Sequence, residues 1–157
     1  MKNTDAEKKV EEFHKLFDLP VLDNPQIPSK DRCDLRAELL KEELNEFIDA
    51  IREKDLVEIA DAFADLNYVL SGAILEFGIG DKYEEIFNEV HRSNMSKACG
   101  SIEEADKTIK HYLDKDGTVS YWVKKGKKYL VYRTLDNKVL KSINYSPANL
   151  KSILIEE

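Results

Sequence analysis

Over residues 5–112 apolar side chains recur every three or four positions, the beat of amphipathic helices, and after residue 118 the rhythm shortens to that of strands. Val10, Phe13, Leu16 and Phe17 set the helical spacing over Asp5 to Leu19, which stops before Pro20. Three prolines and Asn24 between Pro20 and Pro28 predict an extended connector. A long helix is expected from about Asp31 or Asp34 to Arg52. Lys54 and Asp55 interrupt it, and Asp55 is a ready cap for the next helix. That helix, from about Leu56 to Phe77, is the most apolar in the chain, since after Asp65 only Asn67, Tyr68 and Ser71 bring polar atoms before Leu75. It should be central. Gly78 and Gly80 predict its stop. A helix from about Lys82 to Arg92 carries Ile86, Phe87 and Val90 on one side, and Ser93 to Lys97 reads as a loop. Ser101 with Glu104 forms a capping-box pattern that opens a short helix to about Tyr112.

The last third changes character. Val119 to Val123, Lys128 to Thr134 and Lys138 to Ile143 are rich in β-branched and aromatic residues, separated by Lys125-Gly126-Lys127 and Asp136-Asn137. Two or three antiparallel strands are expected there, with Pro147 to Ile155 as a short tail. The fold class is therefore mainly α: a helical bundle over residues 1–112 with a small C-terminal antiparallel β-meander over 113–157 packed on it. No internal repeat or low-complexity tract is present.

Six carboxylates break the helical pattern in an informative way. At about 100° per residue, with Glu43 at 0°, the residues Leu39, Ala50, Phe47, Leu40, Ile51 and Leu44 fall between roughly −40° and 100°. Glu43 thus lies inside the apolar arc. A carboxylate held there needs a cation, a metal or a proton. On the next helix Glu58, Asp61 and Asp65 share one face two turns long, at about 60°, 0° and 40°, and that stripe runs into the apolar second half. Oxygen-only clusters suit Mg²⁺ or Mn²⁺, and two antiparallel helices joined by a short turn can bring Glu43 and Glu46 opposite Asp61 and Asp65. Glu42 and Glu58 lie toward the edges of their faces. Neither acid-bearing helix carries the i, i+3 Glu-His pair of a di-iron centre. The plainer reading is a solvated helix face laced with ion pairs; against it, acids outnumber nearby cations, with Arg36 on the same arc the obvious local partner of Glu43.

Composition narrows the function classes. The net charge is −7 and charged residues make up 35% of the chain, which gives no bulk reason to expect nucleic-acid binding. The charge is uneven: residues 1–100 carry 13 Lys/Arg against 23 Asp/Glu, residues 101–157 carry 11 against 8. Two unpaired-looking cysteines, Cys33 and Cys99, argue against a disulfide framework or a Cys-based zinc site. No signal-like run or bilayer-length apolar helix is evident, so a reducing, cytoplasmic location is expected and a membrane is not. His14, His91 and His111 are scattered and read as packing or surface residues. Lys124, Lys125, Lys127 and Lys128 make a basic hairpin tip, either a solvated turn that discourages edge pairing or a nucleic-acid contact.

The runs Arg36 to Glu46 and Glu58 to Gly72, with Glu43-x-x-Glu46, Glu58-x-x-Asp61 and Asp65-Leu-Asn-Tyr68, resemble the all-α nucleoside triphosphate pyrophosphohydrolases, the superfamily of MazG and the phosphoribosyl-ATP pyrophosphohydrolases. The proline-rich connector, the Asn94-Met-Ser-Lys97 loop and the Lys138-Val-Leu-Lys141 and Tyr145-Ser-Pro147 segments extend the resemblance over nearly the whole chain. The chain departs from the hallmark in one place. If Asp65 takes the family's Asp position, the preceding acidic position is Ala62, and Asp61 stands one residue away. The resemblance implies a four-helix, metal-dependent enzyme that cleaves a nucleoside triphosphate between the α- and β-phosphates. It implies Mg²⁺ (or Mn²⁺) on Glu42, Glu43, Glu46, Glu58, Asp61 and Asp65, with Glu43 or Glu46 as proton acceptor. Asn94, Lys97 and Arg36 are the expected substrate contacts, and a homodimer or dimer of dimers the expected assembly. The alternative is a non-catalytic nucleotide- or nucleic-acid-binding module that uses the basic hairpin.

Overall fold

The computed structural model describes residues 5–155, and among them the order is α1 (Asp5–Leu16), α2 (Lys30–Glu53), α3 (Leu56–Glu76), α4 (Gly80–Met95), α5 (Ile102–Asp116), β1 (Ser120–Lys125), β2 (Lys128–Arg133) and α6 (Lys151–Leu154). The protein is mainly helical with a small C-terminal antiparallel sheet. The chain divides into two compact units, residues 1–85 with 153–157, and residues 86–152. The division falls inside α4, and α5 packs on β1 and β2.

In the first unit α3 is the central element, packed by α2 and by α1. Lys54 closes α2 in a left-handed conformation, and the Asp55 side chain accepts from the backbone N–H of Val57 and Glu58 at 2.9 and 3.2 Å. A two-residue turn thereby reverses the chain and satisfies the free donors of α3. Phe47 on α2 meets Phe63 on α3 with ring centroids 4.8 Å apart, and Phe13 on α1 meets Tyr68 edge-on at 5.7 Å. The proline-rich connector binds the far end of α3, where Leu22 N–H donates to Leu75 O and Gln26 N–H to Phe77 O, each at 3.0 Å. Gly78 stops α3 at a positive φ of 65°, and a Cβ there would lie 2.0 Å from the Asn24 carbonyl oxygen. Both constraints demand glycine. Gly80, by contrast, opens α4, which runs three residues beyond the expected end at Arg92 and takes in Ser93, Asn94 and Met95.

The second unit has its own apolar centre of Cys99, Ala105, Val131 and Leu140, with Ile109, Tyr112, Trp122 and Tyr129 packed against it. Ser101 caps α5 by accepting from Glu104 N–H at 3.2 Å, whereas the Glu104 carboxylate turns to Gly100 N–H (2.7 Å) and to the Ser142 hydroxyl. Only half of the expected capping box therefore forms. The strands pair with Trp122 opposite Val131 and Lys125 opposite Lys128, leaving Gly126-Lys127 as the two-residue loop, with Gly126 at φ 61°. Of the two or three strands expected, two form. Residues 138–143 make one isolated bridge, Val139 to Tyr132, before Ser142 N–H turns away to donate to Lys97 O at 3.1 Å. The tail beyond is fastened to the end of α4: Ser93 and Tyr145 hydroxyls bond at 2.9 Å, and Arg92 donates to Pro147 O at 3.0 Å.

Candidate active site

The α2–α3 pair positions the acids as the helical arithmetic predicts. Glu43 is half buried, and its Oε2 is fully enclosed without a hydrogen-bond partner. Loss of water around Glu43 raises its pKa above the ordinary carboxylate value, and the negative charges of Asp65, Glu46, Glu42 and Asp61 raise it further. Those four neighbours come from both helices, so the reversal at Lys54-Asp55 has brought the two acidic faces together. Asp65 is partly buried, while Glu42, Glu46, Glu58 and Asp61 are exposed. Glu58, in the first turn of α3, is not among the charges acting on Glu43. Ala62 is buried and turned inward where the family pattern has an acid, with Asp61 exposed beside it.

A divalent cation fits this donor set by charge and chemistry: an enclosed oxygen lacks a partner, and four further carboxylates act on it. The side chains are not, however, drawn round one point, since among the described residues no three His, Cys, Asp or Glu side chains are gathered tightly enough to hold a metal ion.

Arg36 lies elsewhere in the network. The geometry on one helix made it the obvious counter-charge for Glu43 and a candidate substrate contact, but it is buried and paired with Glu76 and His14. Glu76, fully buried, accepts from Arg32 and Arg36. Burial alone would raise the Glu76 pKa, yet the two guanidinium groups hold it below the ordinary value. His14 Nδ1 sits 2.8 Å from Pro20 O, and Arg36 donates to Nε2 at 3.0 Å. A carbonyl only accepts and a guanidinium only donates, so the ring is neutral with its proton on Nδ1. Burial lowers the His14 pKa, outweighing the Pro20 bond, and the nearby Arg36 charge lowers it further. Gly72 makes the cluster possible, because a Cβ there would come within 2.7 Å of an Arg36 nitrogen. Sequence reasoning missed this cluster. The signal was present in Glu76, a lone carboxylate at the end of the most apolar helix.

Asn94 and Lys97 belong to the second unit. Lys97 donates to Asn94 Oδ1 at 2.6 Å, and Asn94 Nδ2 donates to Val90 O at 3.0 Å. Arg92 is engaged with Glu89, whose pKa falls to about 2 through that bond and through the Asn149 N–H.

Comparison with known proteins follows the same outline. The model of the phosphoribosyl-ATP pyrophosphohydrolase family matches residues 10–94, which span the connector and both acid-bearing helices. An uncharacterized protein of Acanthamoeba polyphaga mimivirus is 27% identical to the chain, over 90% of this chain and 87% of its own length. The match therefore reaches past the family region into the second unit.

Proposed function

Because the chain belongs to the phosphoribosyl-ATP pyrophosphohydrolase family, within the MazG-like all-α superfamily, we propose that it hydrolyses a nucleoside triphosphate to the monophosphate and pyrophosphate. The observation that carries this reading is the enclosed, unpartnered Oε2 of Glu43 among the carboxylates of α2 and α3. Such a group is costly in a merely structural helix pair, and useful where a cation and a reacting phosphate must be held.

Glu43, Glu46, Asp61 and Asp65 would hold Mg²⁺ or Mn²⁺, with Glu42 and Glu58 at the edges. When bound, the metal offsets the triphosphate's charge and polarises the α-phosphorus. Glu43 or Glu46 accepts a proton from the attacking water as its oxygen bonds to that phosphorus. The α–β bridging P–O bond breaks and pyrophosphate leaves with its electron pair. Asn94 and Lys97 are the proposed substrate contacts; Arg36, committed to Glu76, acts as a positioning residue for the α2–α3 pair.

A homodimer, or a dimer of dimers, is part of the proposal. Leu56 is 77% exposed, Val57 75% and Phe63 56%, with Leu44 and Ile51 about half exposed on α2, more apolar surface than a lone helical unit of this size leaves uncovered. Two free cysteines fit a reducing compartment such as the cytoplasm. No single described helix is long and apolar enough to cross a membrane.

The test is pyrophosphate release from a panel of canonical and modified triphosphates, with Mg²⁺, with Mn²⁺ and in EDTA. Release in metal alone, lost in Glu46→Gln and in Asp65→Asn, is the expected result. No release with either metal, together with binding of nucleotide or oligonucleotide that depends on Lys124 to Lys128, would replace hydrolysis by the binding-module alternative.

A further inference from the structure

Asn94 and Lys97 stand beside a cleft of about 410 Å³ within the second unit. Met95, Ala98, Leu130 and Val139 line it with apolar surface, and Lys97, Lys125 and Lys128 are among its lining residues, with the Lys97 ammonium donating to Asn94 Oδ1. The strand register places Lys125 directly opposite Lys128, an arrangement of like charges that costs stability. Among the described residues neither of these two lysines forms an ion pair. The whole unit, residues 86–152, has 13 Lys/Arg against 7 Asp/Glu. The floor is held in shape by reciprocal backbone bonds between Cys99 and Tyr129, at 2.9 and 3.0 Å, and by Leu140 N–H donating to Val131 O at 2.9 Å. A cavity in the range of about 300–1,000 Å³, largely apolar with a few placed charges, is the form of a small-molecule site.

The geometry points to a nucleoside phosphate as the occupant, its base and sugar on the Met95, Leu130 and Val139 floor and its phosphates at Lys97, Lys125 and Lys128. Lysine binds phosphate as a point charge and needs no forked geometry, while the floor selects a ligand with a flat or apolar part over a bare anion. The choice of a nucleoside over other phosphorylated ring compounds rests on the hydrolase reading above; the cleft does not.

The experiment is a ¹H–¹⁵N NMR titration of the full chain in EDTA with each of dATP, dCTP, dGTP, dTTP and dUTP, and with inorganic tripolyphosphate. Without metal the acids of α2 and α3 repel a triphosphate, so shifts report on the basic cleft. The amides of Ala98, Leu130 and Val139 are expected to move with at least one nucleotide, bound about tenfold more tightly than tripolyphosphate. Joint Lys125→Glu and Lys128→Glu substitution is expected to weaken that binding at least about tenfold while the far-ultraviolet circular dichroism stays unchanged, both side chains being exposed. No shifts at these amides, equal affinity for tripolyphosphate, or tighter binding of a single-stranded oligonucleotide than of any mononucleotide each overturns the inference. Pyrophosphate release in Mg²⁺ is read on the same samples. Shifts without release overturn the hydrolase reading alone, and release without shifts overturns the cleft alone.

Discussion

The two units solve the problem of stability with opposite materials. The first, residues 1–85 with 153–157, has 11 Lys/Arg against 24 Asp/Glu and buries ionisable groups: Glu7, Arg36, Glu76 and the neutral His14 are among its most enclosed side chains. The second is basic and closes over a compact apolar centre of Cys99, Ala105, Val131 and Leu140. Both units also bury apolar side chains, Val10, Ile74 and Leu75 in the first and Val131 and Leu140 in the second, and both leave some open, Leu56 and Val57 in the first and Val119 and Leu135 in the second. A buried ion pair contributes less net stability than apolar packing of the same volume, but it fixes geometry and punishes the loss of either partner. The first unit thus holds α2 against α3 in one register, as the proposed acidic site would require. The second is built as an ordinary small core whose surface remains available for a ligand.

The sharpest way to break this contrast is through activity. Glu46→Gln is expected to lower kcat/KM for pyrophosphate release by about 10²–10⁴-fold, the range for loss of a proton acceptor, while the double Lys125→Glu, Lys128→Glu chain loses the nucleotide binding measured in EDTA. Stability gives the next largest effects. In denaturant titrations Glu76→Ala should cost about 3–5 kcal/mol, because Arg36 is left buried and unpaired. In the second unit the comparable loss comes from removing carbon, with Leu140→Ala costing about 2–5 kcal/mol. A smaller effect separates the acids from a structural role. Glu43→Gln should raise the melting temperature in EDTA slightly, by relieving the solvent-screened repulsion from Asp65, Glu46, Glu42 and Asp61. It should also reduce the further rise that Mg²⁺ produces in the unsubstituted chain.

The smallest effect is a pH slope. His14 has a folded-state pKa below its unfolded value near 6.5, so the unfolded chain binds the proton first as pH falls. The stability His14 contributes is complete above that unfolded value and declines as the medium is acidified through the lowered one. Glu76, with its own pKa lowered, adds a second loss at more acid pH, below the ordinary carboxylate range. Melting curves from pH 7.5 to 5.5 should therefore fall, and His14→Gln should flatten that segment at a lower overall stability.

Much of the helical framework was legible because its signals are local. Asp55 caps α3 two and three residues away, Gly126 turns the hairpin it sits in, and the position of Glu43 on its arc follows from 3.6 residues per turn. On that basis alone Glu43, Asp65, Asp61 and Glu46 could be expected to face one another, and the charges of the other three do act on Glu43. The partner of Arg36 could not, since Glu76 lies 40 residues further on and competes with Glu43, two turns away on the same helix. Whether a third strand forms stays open in the sequence for a similar reason. Its β-branched composition favours extension, but Ser142 bonds the Lys97 carbonyl and the Glu104 carboxylate, and those contacts outweigh local preference.

From sequence alone, this protein's helices, their caps, the reversal between α2 and α3 and the inward aim of one carboxylate were already determined, because each depends on dihedral preferences and spacing within a few residues. Tertiary structure alone decided which buried charge met which, where α4 divides between two units, and that three lysines would border one apolar cleft. Those outcomes depend on desolvation and on packing between distant segments, where a charge takes the partner that burial brings to it.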